Sequence, residues 1–180
     1  MKKSFLAFAA TTVFTLMFIN INAQKITPDL AVSSISAMDL VAIVDAPYVD
    51  NNDNSILKEI NPKAIKDFKK TFAARNKTWY KTERGFIASF SLGEIKNVVA
   101  YNNKGKWQHT IRIYNEEKLP RDVRATVKRT YYDYTITLVE EIRTSDANAF
   151  LVHMQDETTW KIVRVSPEGE MELLQNLNKG

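Results

Sequence analysis

The chain predicts an α+β fold, in which a tandem repeat of one helix plus a four-stranded antiparallel meander forms a sheet of up to eight strands with helices on one face. Three features lead there. Eight runs rich in β-branched and aromatic residues are joined mostly by links too short for a parallel crossover. Two amphipathic stretches opened by proline precede the first and the fifth of these runs. The order of one helix and four strands then occurs twice.

In the first unit, Asn61 caps a helix and Pro62 takes its first position, where a missing N–H leaves nothing unpaired. Ile65, Phe68 and Phe72 follow along one side. Strands are expected over 78–82, 86–91, 95–101 and 106–114. The trios Glu83-Arg84-Gly85, Leu92-Gly93-Glu94 and Asn103-Lys104-Gly105 separate them, and the last supplies the positive backbone angles of a tight hairpin turn. Leu119-Pro120 opens the second helix, expected to begin at Pro120 and run over 120–132. Asp122 sits in its first turn, and Val123, Val127 and Tyr131 recur at helical spacing. Four strands follow over 134–142, 149–155, 158–165 and 170–177.

The recurrence survives a test by offset. Adding 64 carries Phe86, Ile87, Ala88 and Phe90 onto Phe150, Leu151, Val152 and Met154, and Val98, Val99, Tyr101 and Gly105 onto Ile162, Val163, Val165 and Gly169. Adding 59 carries Phe68 and Phe72 onto Val127 and Tyr131, so the later copy has about five extra residues between its helix and its second strand. The copies also differ. Met171 stands where the first has Trp107, and Pro167-Glu168 replaces Asn103-Lys104.

Alternation along the strands assigns the faces. Phe86, Ala88, Phe90, Phe150, Val152, Met154, Val163 and Val165 point toward the helices, and one core is expected to hold Phe68, Phe90, Val99, Val127, Tyr131 and Val163. The other side carries Ser89, Ala100 and Leu151 beside the candidates for partner contact, Trp160, Arg164, His153, Ile162, Val98 and Ile87. With helices on one side only, this face has no expected cover. Trp160 and Arg164 lead the candidates, because aromatics and arginine carry most of the energy of protein contacts. An ordinary solvated sheet face is the alternative.

Before the first helix, Met1-Lys2-Lys3, an apolar run over 5–19 and a small residue at Ala23 make residues 1–23 a signal peptide. The apolar run is shorter than the ~20 residues of a membrane-spanning helix, and no later segment is long enough to span. Residues 24–60 are read as a lead-in ending in a polar linker, 61–118 as the first unit and 119–180 as the second, the two units forming one compact domain. Asp50, Asn52 and Asn54 have the opening spacing of a calcium loop. Ser55 then stands where the sharp turn needs glycine and Asn61 where a bidentate glutamate should close the site, so no calcium is expected.

Composition narrows the function. Hydrophobic residues make up 44% of the 180, enough to build a core. Without Lys2 and Lys3, the 25 basic residues become 23 against 21 acidic ones, a net +2 that is no nucleic-acid footprint. The basic runs at Lys66, Lys69 and Lys70 and at Arg121, Arg124, Lys128 and Arg129 fall on helix sides away from the apolar stripes. There is no cysteine, hence no disulfide, no thiol nucleophile and no lipidated anchor. No G-x-S-x-G elbow or phosphate-binding glycine loop occurs. His109 and His153 each stand alone in a strand, and Glu140-Glu141, being adjacent in a strand, face opposite ways and cannot act as one carboxylate pair.

The segment from Tyr101-Asn102-Asn103-Lys104-Gly105-Lys106-Trp107 through Leu119-Pro120, Val123 and Val127 to Tyr131-Tyr132-Asp133-Tyr134, with Ile136, Val139, Glu140 and Glu141, resembles the PepSY-like family of exported bacterial proteins. That family is similar in fold to the beta-lactamase inhibitor protein. The resemblance covers 61–177 and implies a saddle-like sheet whose open face holds another protein. It implies no activity and no catalytic group.

The expectation is therefore an exported, non-enzymatic module, without a cofactor or metal, that binds and can inhibit an unidentified protein of the periplasm or the exterior through the open sheet face. No nucleic acid and no lasting membrane anchor enter this reading. The alternatives are a periplasmic carrier of a small molecule or lipid, using a pocket between helix and sheet, and an envelope enzyme whose site is dispersed in sequence.

Overall fold

A computed structural model describes residues 54–180, with side chains from Ile56 onward. The expected signal peptide and most of the lead-in, including Asp50 and Asn52, lie outside the described residues. The order is α1 (Asn54–Glu59), α2 (Pro62–Thr71), β1 (Thr78–Thr82), β2 (Gly85–Leu92), β3 (Ile95–Asn102), β4 (Trp107–Tyr114), a 3-10 turn (Glu116–Lys118), α3 (Arg121–Thr130), β5 (Thr135–Thr144), β6 (Asn148–Gln155), β7 (Thr159–Val165) and β8 (Met171–Asn178). The short α1 occupies the end of the stretch read as linker, and Ile60 just after it is buried.

Local chemistry explains the helix ends. Asn61 Oδ1 accepts from the Lys63 N–H at 3.0 Å and Pro62 opens α2. Pro120 was expected as the first helical residue of the second helix but is its cap instead, with ψ at 136°, and α3 stops at Thr130. An aspartate or serine cap is missing there, so the 3-10 turn and the fixed proline φ set the entry. Both helices close alike, the Phe72 N–H reaching the Phe68 carbonyl at 2.8 Å and the Tyr131 N–H the Val127 carbonyl at 2.9 Å.

The eight strands of the described residues form one sheet in chain order, and every neighbouring pair is antiparallel. Two hairpin turns repeat each other's hydrogen bonds. Asn102 N–H meets Lys106 O at 2.9 Å and Gly105 N–H meets Asn102 O at 2.8 Å, and Ser166 with Glu170 and Gly169 with Ser166 do the same at 2.9 and 3.0 Å. Gly105 has φ +75° and Gly169 +92°, in the left-handed region where only glycine rests without strain.

Both helices lie on the same side of the sheet. Val99 is opposite Thr110, which alternates in phase with Tyr114, and Tyr114 is opposite Val139. The single core expected from the sequence is in fact two. Phe68, Phe90 and Val99 pack with Ala64, Trp79, Phe86 and Tyr101 under α2, and Val127 and Val163 pack with Val123, Val139, Phe150 and Val152 under α3, where Tyr131 is partly buried. Where β4 meets β5, the helix side is polar. Glu141 is 3% exposed and accepts from Arg112 Nη1 at 2.7 Å, from Arg143 Nε at 2.7 Å and from the Tyr114 hydroxyl at 3.0 Å. Burial foremost, then the charge of Glu141, raises the Tyr114 hydroxyl above the usual phenol range. These charges interrupt the apolar layer, and the core divides around them.

Candidate functional site

The side of the sheet away from the described helices is laid out in rows across the strands. One row runs Ser89, Val98, Ile111, Ile142, Ala149, and the next runs Lys96, Ile113, Glu140, Leu151, Arg164, Glu172. A third holds Leu138, His153, Ile162 and Gln175. Val98, Ile111 and Ile142 are almost fully buried, and the half-buried Ile87, Ile113 and Leu151 pack against them. The face expected to be uncovered therefore has a small core of its own, centred where β4 joins β5.

The six candidate residues separate into groups. Val98 is buried and forms floor, not a contact, while Ile87 belongs to the rim of the same cluster. His153 comes near the centre, its Nε2 lying 2.9 Å from Glu140 Oε1. Ile162 is its cross-strand neighbour on β7. Arg164 ends its row in an ion pair with Glu172. Trp160 is outlying: it is 49% exposed, its indole N–H donates to Gln155 Oε1 at 2.7 Å, and Lys179 Nζ lies 5.4 Å from the ring centroid.

Sequence reasoning missed Ile111, Ile113, Ile142 and above all Glu140. The signal was present in part, since Glu140 and Glu141 must face opposite ways and Glu141 shares parity with the core residue Val139. Glu140 keeps a side chain about nine-tenths buried between Ile113 and Leu151. Its Oε2 has no hydrogen-bond partner among the described residues, and the His153 contact lacks hydrogen-bond alignment. A carboxylate oxygen withdrawn from water and left unpaired is uncommon in folded chains.

Elsewhere the surface is plainer. A cleft of about 230 Å³ lies where β6, β7 and β8 end, beside Asn148, Arg164, Ser166 and Glu172. Between α2 and the sheet, the rings of Phe68, Phe72, Trp79 and Phe90 lie 5.2 to 5.3 Å apart and fill the space a carrier's pocket would need. Among the described residues no group of His, Asp and Glu is placed to hold a metal ion, and no helix is long and apolar enough to cross a membrane.

No family model matches the chain, and no curated protein matches it. Solved structures do. A DUF2874 family protein from Bacteroides ovatus ATCC 8483 is similar at 17% identity and TM-score 0.56, over 66% of this chain and 87% of that one. A BLIP-like protein from Bacteroides fragilis NCTC 9343 is similar at 16% identity and TM-score 0.56, over 67% and 89%. A candidate periplasmic protein from Bacteroides eggerthii DSM 20697 follows at 14% identity and TM-score 0.55, over 66% and 88%. Identities this low establish a shared, BLIP-like fold and nothing finer.

Proposed function

We propose that the protein is an exported, non-enzymatic module that binds another protein of the periplasm or the exterior against the helix-free face of its sheet. One observation carries this: the apolar cluster of Val98, Ile111 and Ile142, with its partly buried rim of Ile87, Ile113 and Leu151, lies on the side that none of the described helices covers. Clustered aliphatic surface of this kind is what protein contacts desolvate. Inhibition is the form such binding takes when the partner is an enzyme whose site becomes covered. The BLIP-like neighbour is consistent with this reading, and so is the neighbour described as a candidate periplasmic protein.

Several finer readings belong with it. Residues 1–23 act as a cleaved signal. Residues 24–60 lead in, and 61–118 and 119–180 are two copies of one α-β4 unit within a PepSY-like chain; the matching turns at Gly105 and Gly169 and the matching helix ends support the duplication. The contact surface runs from the Ile87 rim past His153 and Ile162 toward Arg164 and Trp160, with Val98 beneath.

A photo-crosslinking amino acid tests the face directly. Placed at Leu151 in exporting cells, it should join the protein to a second polypeptide, and placed at Lys69 on α2 it should not. Adducts from position 69 alone, or from neither, would overturn the assignment.

A further inference from the structure

Resting on that reading of the face, we propose that its centre seats a basic side chain of the bound protein, a lysine ammonium or arginine guanidinium, against the carboxylate of Glu140. Glu140 stands at mid-row with Ile113 and Leu151 as its cross-strand neighbours and the buried Ile142 two residues along the same side. Its Oε2 is buried and unpaired among the described residues. The chain's own cations in that row leave it so. Lys96 is two strands away beyond Ile113, about 9.5 Å by strand spacing, and Arg164, two strands away on the other side, is paired with Glu172.

His153 is the remaining neighbour, and its Nε2 meets the other oxygen, Oε1, without hydrogen-bond alignment. Oε2 therefore keeps an acceptor position that the fold does not fill. A long aliphatic stem ending in a cation fits the surroundings, because its methylenes can lie on Ile113 and Leu151 while the head reaches the carboxylate. Desolvated on docking, that pair acts as a strong specificity element, since a neutral or acidic side chain in the same place leaves the buried oxygen unpaired or repelled. The occupant is thus a protein surface with one lysine or arginine set among apolar residues.

A displayed library of random twelve-residue peptides, panned on the purified full chain, tests this. Clones that Leu151→Asp releases should carry a lysine or arginine flanked by apolar residues. Replacing that base with norleucine should weaken binding to the wild-type protein at least tenfold and leave binding to Glu140→Gln unchanged. The substitution on the peptide keeps the test valid even where Glu140→Gln alters folding. If clones released by Leu151→Asp lack a base, or bind within twofold after its replacement, the salt-bridge inference is wrong and the open-face reading stands. If no clone responds to Leu151→Asp, both fall.

Discussion

On the helix side of β5, Glu141 is 3% exposed and takes hydrogen bonds from Arg112, Arg143 and Tyr114. On the other side, Glu140 is 8% exposed and has one unaligned contact to His153 and a bare oxygen. Burial is nearly equal, so burial does not distinguish them. What differs is whether the chain brings its own donors, and that follows from the pleat. Arg112 and Arg143 share the parity of Glu141, whereas the cross-strand neighbours of Glu140 are Ile113 and Leu151. The contrast teaches that a buried carboxylate with a full set of internal donors is architecture. One deprived of them, as Glu140 is, keeps an acceptor that the fold leaves unfilled.

The largest expected effect breaks the satisfied side. Glu141→Ala should cost about 3 kcal/mol in urea unfolding, the lower end for removing one partner of a buried pair. The lower end applies because Arg112 and Arg143 have side chains 31% and 53% exposed and regain water. A loss under about 1 kcal/mol would mean that the network is ornamental, and the comparison with Glu140 would lose its structural pole.

The two halves of the chain offer the next contrast, at their glycine turns. A Cβ on Gly105 would lie 2.8 Å from Asn61 Oδ1 and 2.9 Å from Lys63 Cβ, while one on Gly169 would meet only Thr126 Oγ1 at 3.5 Å. Asn61 Nδ2 also donates to Asn103 O at 3.1 Å, so the first turn is clasped to the cap of α2. Gly169→Ala should then cost about 1 kcal/mol for the left-handed backbone alone, and Gly105→Ala about 2 kcal/mol, with the steric conflict added. Equal losses in thermal melts would show that the clasp adds nothing.

Much of this was legible in the chain. Asn61-Pro62 announces the start of α2, β1 occupies the expected 78–82, and strict alternation at Phe86, Ala88 and Phe90 gives the faces because side chains in a strand have a fixed period of two. What could not be read is what depends on pairing across long separations. Arg112 and Glu141 meet only because β4 and β5 align across the whole of α3, and that register decides both where the core divides and where the open face has its centre. Trp160 and Arg164 drew attention by residue type, yet the register puts them away from that centre. Pro120 was misplaced by one position for a local reason, since a proline suits a cap or a first turn almost equally.

On the unsatisfied side the expected sign reverses. Glu140→Leu replaces a half-paired carboxylate with a side chain that suits Ile113, Ile142 and Leu151, and it should raise stability by about 1 kcal/mol while weakening capture of any basic partner. Differential scanning calorimetry of the variant beside the wild type reads the first effect. A destabilisation of similar size would mean that Glu140 is satisfied in solution, and the contrast with Glu141 would vanish.

The smallest effect separates satisfaction from burial. Asp156, in the surface turn between β6 and β7, is well supplied with donors: its carboxyl is held far below the usual carboxylate range, first by the Tyr134 hydroxyl, itself bonded to Thr159 Oγ1 at 2.7 Å, and then by the N–H groups of Thr158 and Thr159 at 2.7 and 2.6 Å. A carboxyl lowered on folding lends stability that is fully present above its unfolded value of about 3.9 and drains away as pH falls toward the folded value. Asp156→Asn keeps an acceptor oxygen at the same place but cannot titrate. The melting temperature of the wild type should therefore exceed that of the variant at pH 6, and the gap should narrow below about pH 4. A gap unchanged down to pH 2 would show that the charge of Asp156 contributes nothing. Satisfaction by donors would then count only where water is excluded, as it is at Glu141.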